Sequence, residues 1–324
     1  MRFKRKNNPK KVVIKPNEAE KQAAQLAIKE EYIVNREEHP NFFRGSLAWH
    51  GSVSPRIAPA AITAAIYTLI LAFIDVHKYY DLPHLSVTPF EYTGAVLGLV
   101  LVFRTNAGHD RWWEARKLWG GIVNQSRNLL VMVWCYGPKN QQWREEISKW
   151  IIAFSFATKE SLRHHKGFNH LKDVLSEEDI KQLQASAHMP LFVSCKIADL
   201  LQQARNEYGL DMMIFIECEE QRGILIDHIG ACERILKTPM PLVYAIKTRR
   251  FIFTYLLLLP FSLVNVIGLM SPIVVLLVAY PLLSLDRIGL ELQNPFSKRN
   301  LSHLPLDTIC DSIKNHALVI RNGQ

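Results

Sequence analysis

Residues 251–285 form a run of 35 without a single Asp, Glu, Lys or Arg. Residues 57–74 form a second such run of 18. Soluble domains rarely hold either, because their helices keep a charged face toward water. As a helix, the shorter run reaches about 27 Å, enough to cross a hydrocarbon core. The longer one would reach about 52 Å, too far for one crossing. The stretch Gly268-Leu-Met-Ser-Pro272 divides it, since Gly and Pro favour a turn. The expectation is a hairpin of two spans, 251–268 and 272–290, with Pro260 kinking its first arm. The run after Arg56 supplies another span, 57–75.

A fourth span is less evident. Residues 93–103 are apolar but number only 11, and hydropathy alone would file them as a buried core helix. Charge sidedness argues for a crossing over 88–104. With the N-terminus, residues 105–250 and the C-terminus on the inner side, 38 of the 39 Lys and Arg residues lie inside and only Lys78 outside. Near the span ends, Arg44, Arg56, Arg104, Arg111, Lys247, Arg249, Arg250 and Arg287 all fall on that side, as the positive-inside rule requires. Gly94 and Gly98 lie four apart on this segment, a spacing that lets helix backbones approach; ordinary tight packing explains it better than a specific dimer motif.

The formal charge of +9 fits a cytoplasmic loop bias or an anionic membrane surface. No nucleic-acid module accompanies it. Cys135, Cys195, Cys218, Cys232 and Cys310 are odd in number and form no Cys-x-x-Cys pair, which fits a reducing compartment. The start MRFKRKNNPKK leads into no apolar stretch of the signal-peptide kind. Residues 1–42 read as a basic tail, solvated or lipid-facing.

Residues 105–250 carry almost no strand signal. Apolar residues at three- and four-residue spacing over 145–158 and 194–205 read as amphipathic helices. Residues 138–140 read as a turn and Ser176 as a helix cap followed by acids. Motifs of hydrolases, zinc proteases, nucleotide-binding loops and dinucleotide folds are missing. His164 and His165, if helical, would point about 100° apart and share no metal. Glu219, Glu220 and Asp227 read as a solvated face. Ala95, Leu99 and Phe103 share one helix face at i, i+4 and i+8, a stripe that pattern alone reads as packing. Arg104, Arg111 and Arg116 beside Trp112, Trp113 and Trp119 suit an interfacial anchor, or a subunit contact.

Four segments resemble the bestrophin family of ion channels in its bacterial form. They are FRGSLAWHGSVSPRI, FRTNAGHDRWWEARKLWGGIVNQSRNL, GACERILKTPMPLVYAIKTRRF, and LDRIGLELQNPF followed by LPLDTI. They run in order from residue 43 to residue 309, and Arg111-Trp112-Trp113 resembles the family's most specific motif. The resemblance implies an all-α homopentamer around a central pore, with four transmembrane helices and a helical cytoplasmic body over 43–324. It places the pore neck at Ala95, Leu99 and Phe103 and a cytosolic aperture at Met213. Ala95 departs from the bulkier aliphatic residue usual at the first neck position. Animal members bind calcium just after Asn-Pro-Phe. Here Asn294-Pro295-Phe296 is followed by Ser297-Lys298-Arg299-Asn300, and two cations would repel calcium, which needs carboxylate oxygens.

The expected function is passive anion (chloride) conduction through a hydrophobic neck, independent of calcium. No cofactor, metal or catalytic residue is expected. The expected partners are further copies of the chain, permeating ions and membrane lipids, in a bacterial inner membrane with both termini cytoplasmic. A cation-selective pore of the same fold, a non-conducting scaffold or sensor, and a membrane-bound enzyme remain as alternatives.

Overall fold

The computed structural model describes residues 48–49, 51–168 and 171–321. The basic tail, Arg44, the start of the first resemblance segment and His170 lie outside the described residues. From Val53 onward the chain forms one compact unit. Its described residues are helical without a strand. The α-helices are α1 (Ser54–Val76), α2 (Thr88–Cys135), α3 (Gln141–Leu162), α4 (Glu177–Ala185), α5 (Met189–Tyr208), α6 (Met212–Lys237), α7 (Leu242–Ile267), α8 (Ser271–Glu291) and α9 (Leu306–Arg321).

Local chemistry sets the boundaries. Pro55 and Pro89 open α1 and α2, where a missing N–H costs nothing. Asn140 caps α3 by accepting from the Trp143 N–H at 3.1 Å, and Ser176 caps α4 by accepting from the Asp179 N–H at 3.1 Å. Gly209 ends α5 at φ +68°, the left-handed cap that glycine adopts without strain. Gly268, at φ +54°, starts the single 3₁₀ turn that separates α7 from α8. Helix α7 continues through Pro260.

Two segments are long and apolar enough to cross a membrane: Ser54–Val76, and the α7–α8 hairpin Leu242–Glu291. Only 22% of each apolar window is buried in the single chain. A core helix of a soluble protein would be mostly covered, so these helices present apolar side chains outward.

Helix α2 differs most from the sequence expectation. The segment read as a short span over 88–104 is the first third of a 48-residue helix, about 72 Å long. It joins two separate cores. Leu97 and Leu101 pack with Ala61, Ile252, Leu259, Val275 and Ala279 in an apolar bundle made with α1, α7 and α8. Residues from Ala115 to Val133 enter a larger core with α3, α5, α6 and α9. Trp119, read above with the interfacial anchor, is fully buried in that second core. His164 and His165 are not helical: α3 ends at Leu162, and His164 has φ +56°.

A polar layer divides the two cores. Arg104, fully buried, pairs with Asp286, which also accepts from Arg249 Nε at 3.2 Å. Beside it Glu291 pairs with Arg56 and Arg287 and accepts from the Leu301 N–H at 2.8 Å. At the same level α2 and α8 nearly touch. A Cβ built on Gly108 would lie 3.1 Å from Leu292 Cβ and 3.2 Å from the Gly289 carbonyl. A larger residue must push backbone apart there. Gly108→Val is expected to cost about 1–3 kcal/mol, visible as a melting temperature several degrees lower in detergent.

Candidate pore-lining face

One side of α2 supports both cores, and the other is bare. Ala95 is exposed, and Leu99 and Phe103 are 55% and 59% exposed. Tyr92, Val96 and Val102 flank them on the same side, while Leu97 and Leu101 are buried behind them. The stripe continues at helical spacing through Asn106, Asp110, Trp113, Lys117, Asn124, Asn128 and Val131 to Cys135. It is therefore apolar up to Phe103 and mostly polar beyond. Gly94 lets the Tyr255 ring of α7 approach, since a Cβ there would lie 2.7 Å from the Tyr255 hydroxyl. Gly98, the other half of the four-residue pair, meets nothing within 4 Å.

Helix α6 runs antiparallel to the second part of α2 in a constant register. Glu114 faces Arg234 at 3.7 Å, Gly121 sits under the His228 ring, Asn128 bonds Gln221 at 3.5 Å, and Met132 meets Cys218 at 3.9 Å. The same register sets Met213 opposite about residue 136, some 50 Å along α2 from Phe103. Met213 is 72% exposed. It lies in the first turn of α6, where Asp211 accepts its N–H at 2.9 Å. Glu217, Glu220 and Asp227 are exposed on α6 on the side away from its buried Cys218, Leu225 and Cys232. Glu219 lies off that stripe, held by Arg222, which also donates to Ser194 Oγ at 2.8 Å.

Arg111 closes the far end of α6. Its Nη1 and Nη2 donate to the carbonyls of Thr238 and Ile235 at 2.9 and 2.5 Å, satisfying acceptors that a helix C-terminus leaves open. Trp112 Nε1 donates to the Ser302 carbonyl at 2.7 Å. Of the Arg-Trp-Trp triplet only Trp113 keeps an exposed side chain. The triplet thus fastens α2 to α6 and to the chain after α8. Close by, burial would push the Glu233 carboxyl up, but bonds from Lys237 and His188, both 2.7 Å, hold it below the usual range.

All five cysteines are free. Burial pushes the Cys218 thiol up to about 11 and those of Cys232 and Cys310 to about 12, so these three are packing residues and not nucleophiles.

Sequence reasoning reads Arg104 as part of an interfacial anchor, whereas it is fully buried against Asp286; that pairing and a cluster around Asp307 are what it misses. Asp307 accepts from Lys159 Nζ at 3.0 Å and from Arg163 Nη1 and Lys298 Nζ at 2.9 Å each. The first pair had a visible signal, since each partner directly follows an apolar run. The second links residues nearly 150 positions apart and had none.

Comparison with known proteins fits this architecture. The family model described as "Bacterial/Fungal Bestrophin protein" matches residues 33–319. A voltage-dependent anion channel-forming protein of Nostoc sp. is 36% identical over 282 residues, covering 85% of this chain and 90% of its own. A protein of the same description from Synechocystis sp. is 34% identical over 274 residues, covering 83% of this chain and 88% of its own. The crystal structure of a bacterial bestrophin homologue from Klebsiella pneumoniae superposes with a TM-score of 0.73 at 27% identity, covering 81% of this chain and 96% of that one. The long shared helix, the apolar hairpin and the placement of the Arg-Trp-Trp triplet are features of a chain that belongs to the bacterial and fungal bestrophin family.

Proposed function

We propose that this membrane protein is the subunit of a homopentameric anion channel, with α2 lining the pore. The observation that carries the reading is the bare face of α2. A 72 Å helix (about 1.5 Å per residue) packs one side into two cores and leaves Ala95, Leu99 and Phe103 uncovered on the other. Cyclic symmetry would bring five such faces together and cover them. Rings of Leu99 and Phe103 then form a constriction that excludes water when narrow, a barrier that needs no charge. Ala95, being small, leaves a wider entrance. Met213 lines a second constriction at the far end of the body. The spans are 57–75, 88–104, 251–268 and 272–290, with 43–324 as the channel domain and both termini in the cytoplasm of a bacterial inner membrane.

Anion selectivity is supported by the relatives described as anion channel-forming proteins and by the arginines at the inner ends of the spans, which concentrate anions near the mouth. One observation favours the opposite selectivity: Glu217, Glu220 and Asp227 are exposed on α6. Reversal potential in planar bilayers under a KCl gradient decides between them. A potential near that of chloride is expected. A potential near that of potassium would overturn the anion reading, and silence from an intact pentamer would favour a scaffold.

Calcium is not part of the proposed mechanism. The loop after Phe296 offers Lys298 and Arg299 where a calcium site needs carboxylates. Calorimetry is expected to show no micromolar calcium binding, and currents should not change when calcium is chelated.

A further inference from the structure

The end of α3 and the loop after α8 enclose a cavity of about 470 Å³ that the channel reading does not use. Its size falls in the range of small-molecule sites. Glu160, Arg163, His164 and His165 line it from the end of α3, and Lys298 and Arg299 from the loop after α8. Lys159 stands behind, 3.3 Å from Glu160 and 3.0 Å from Asp307. Four full cations, Lys159, Arg163, Lys298 and Arg299, thus face two carboxylates, Glu160 and Asp307. The excess is two positive charges even with both histidines neutral.

Arg163 is the pivot. Its side chain is only 5% exposed. Nε donates to the Phe296 carbonyl at 3.2 Å and Nη1 to Asp307 at 2.9 Å, but Nη2 has no partner among the described residues. A buried guanidinium nitrogen without an acceptor is costly, and its N–H favours a charged oxygen acceptor. The cluster is charged at neutral pH. Burial would push the Asp307 carboxyl up, yet bonds from Lys298, Arg163 and Lys159 hold it well below the usual range. Burial would lower the Lys159 ammonium, and Asp307, together with its neighbours Cys310 and Glu160, more than restores it.

We propose that this cavity binds a phosphate-bearing dianion, with Arg163 Nη2, Lys298 and Arg299 as its donors. A phosphate monoester carries close to two negative charges at neutral pH, which balances the excess. The Arg299 carbonyl accepts from Arg56 Nη2 at 3.1 Å, in the first turn of α1. The site therefore lies where the first membrane segment begins, within reach of either a soluble phosphate or a lipid headgroup. An anion held there would join the end of α3 to the loop that leads into α9.

The test is thermal melting of the full-length purified protein and does not depend on any current. Inorganic phosphate is compared with chloride at matched ionic strength. Nanodiscs of phosphatidylcholine are compared with nanodiscs that also contain phosphatidic acid. A ligand of the folded state raises the melting temperature with concentration, and a rise of a few degrees is expected in at least one comparison. A rise with inorganic phosphate assigns a soluble ligand; a rise with phosphatidic acid alone assigns a headgroup. The double variant Lys298→Gln/Arg299→Gln alters two exposed side chains, also removes the Lys298–Asp307 ion pair, and is expected to melt slightly below wild type without ligand while weakening binding at least about tenfold, by loss of two charge-assisted contacts. Arg163→Lys, which keeps the charge but loses the fork, should weaken it as well. No rise in either comparison overturns the proposal, as does a rise that the double variant retains in full.

Discussion

Phe103→Ala is expected to raise single-channel conductance by about tenfold, equivalent to about 1.4 kcal/mol off the permeation barrier. Phe103 ends the apolar part of the bare face of α2 and is the bulkiest of the three proposed neck residues. In a five-fold ring, truncation removes five phenyl groups at one level and lets water fill the constriction, which abolishes a dewetting barrier. Leu99→Ala should act in the same direction with a smaller effect, because an isobutyl group fills less of the lumen. Ala95→Leu should act oppositely by narrowing the entrance. None of these should change stability much, since the three side chains pack into neither core of their own chain. The measurement is single-channel current in symmetric KCl. Unchanged currents from Leu99→Ala, Phe103→Ala and their double variant would sink the assignment of the neck.

Much of the fold was legible where one physical demand acted alone. The charge-free runs gave α1 and the α7–α8 hairpin, because hydrocarbon tolerates no other pattern. The break at Gly268 followed from glycine's access to positive φ, and the Ser176 cap from its hydroxyl and the acids behind it. Helix α2 was harder. Along its length it faces an apolar bundle, a polar layer and a water-exposed body in turn, so no single hydrophobic period describes it. An 11-residue apolar run looked like a short element when it was the first part of a long one. The tryptophans show the same limit. Trp112, Trp113 and Trp119 read alike in sequence, yet one is tied to Ser302, one is bare and one is core. Their fates depend on α6 and on the chain beyond α8, well over a hundred residues away. Exposure of Leu99 and Phe103 was likewise invisible to pattern, because an apolar stripe left bare by its own chain has the same composition as one bound for a core.

Asp286→Ala is expected to cost about 3–5 kcal/mol, the usual penalty for leaving a buried charge unpaired. Arg104 is fully buried, and its Nε and Nη2 already lack partners, so Asp286 supplies its compensation. Arg249, the other partner of Asp286, has a side chain about half exposed and can turn to water. Arg104 cannot. The two single variants should therefore be unequal. Arg104→Leu removes the stranded charge and leaves Asp286 with Arg249, so it should cost less than Asp286→Ala. The double variant Arg104→Leu/Asp286→Leu should recover most of the loss, because an apolar pair avoids the desolvation of two ions. Thermal melts of the four proteins complete a double-mutant cycle. Equal melting temperatures across the cycle would mean that water or lipid reaches Arg104. The expected order would fix this layer as the joint between the two cores, one residue beyond Phe103 on the helix proposed to carry the neck, so the same substitutions should also disturb conduction.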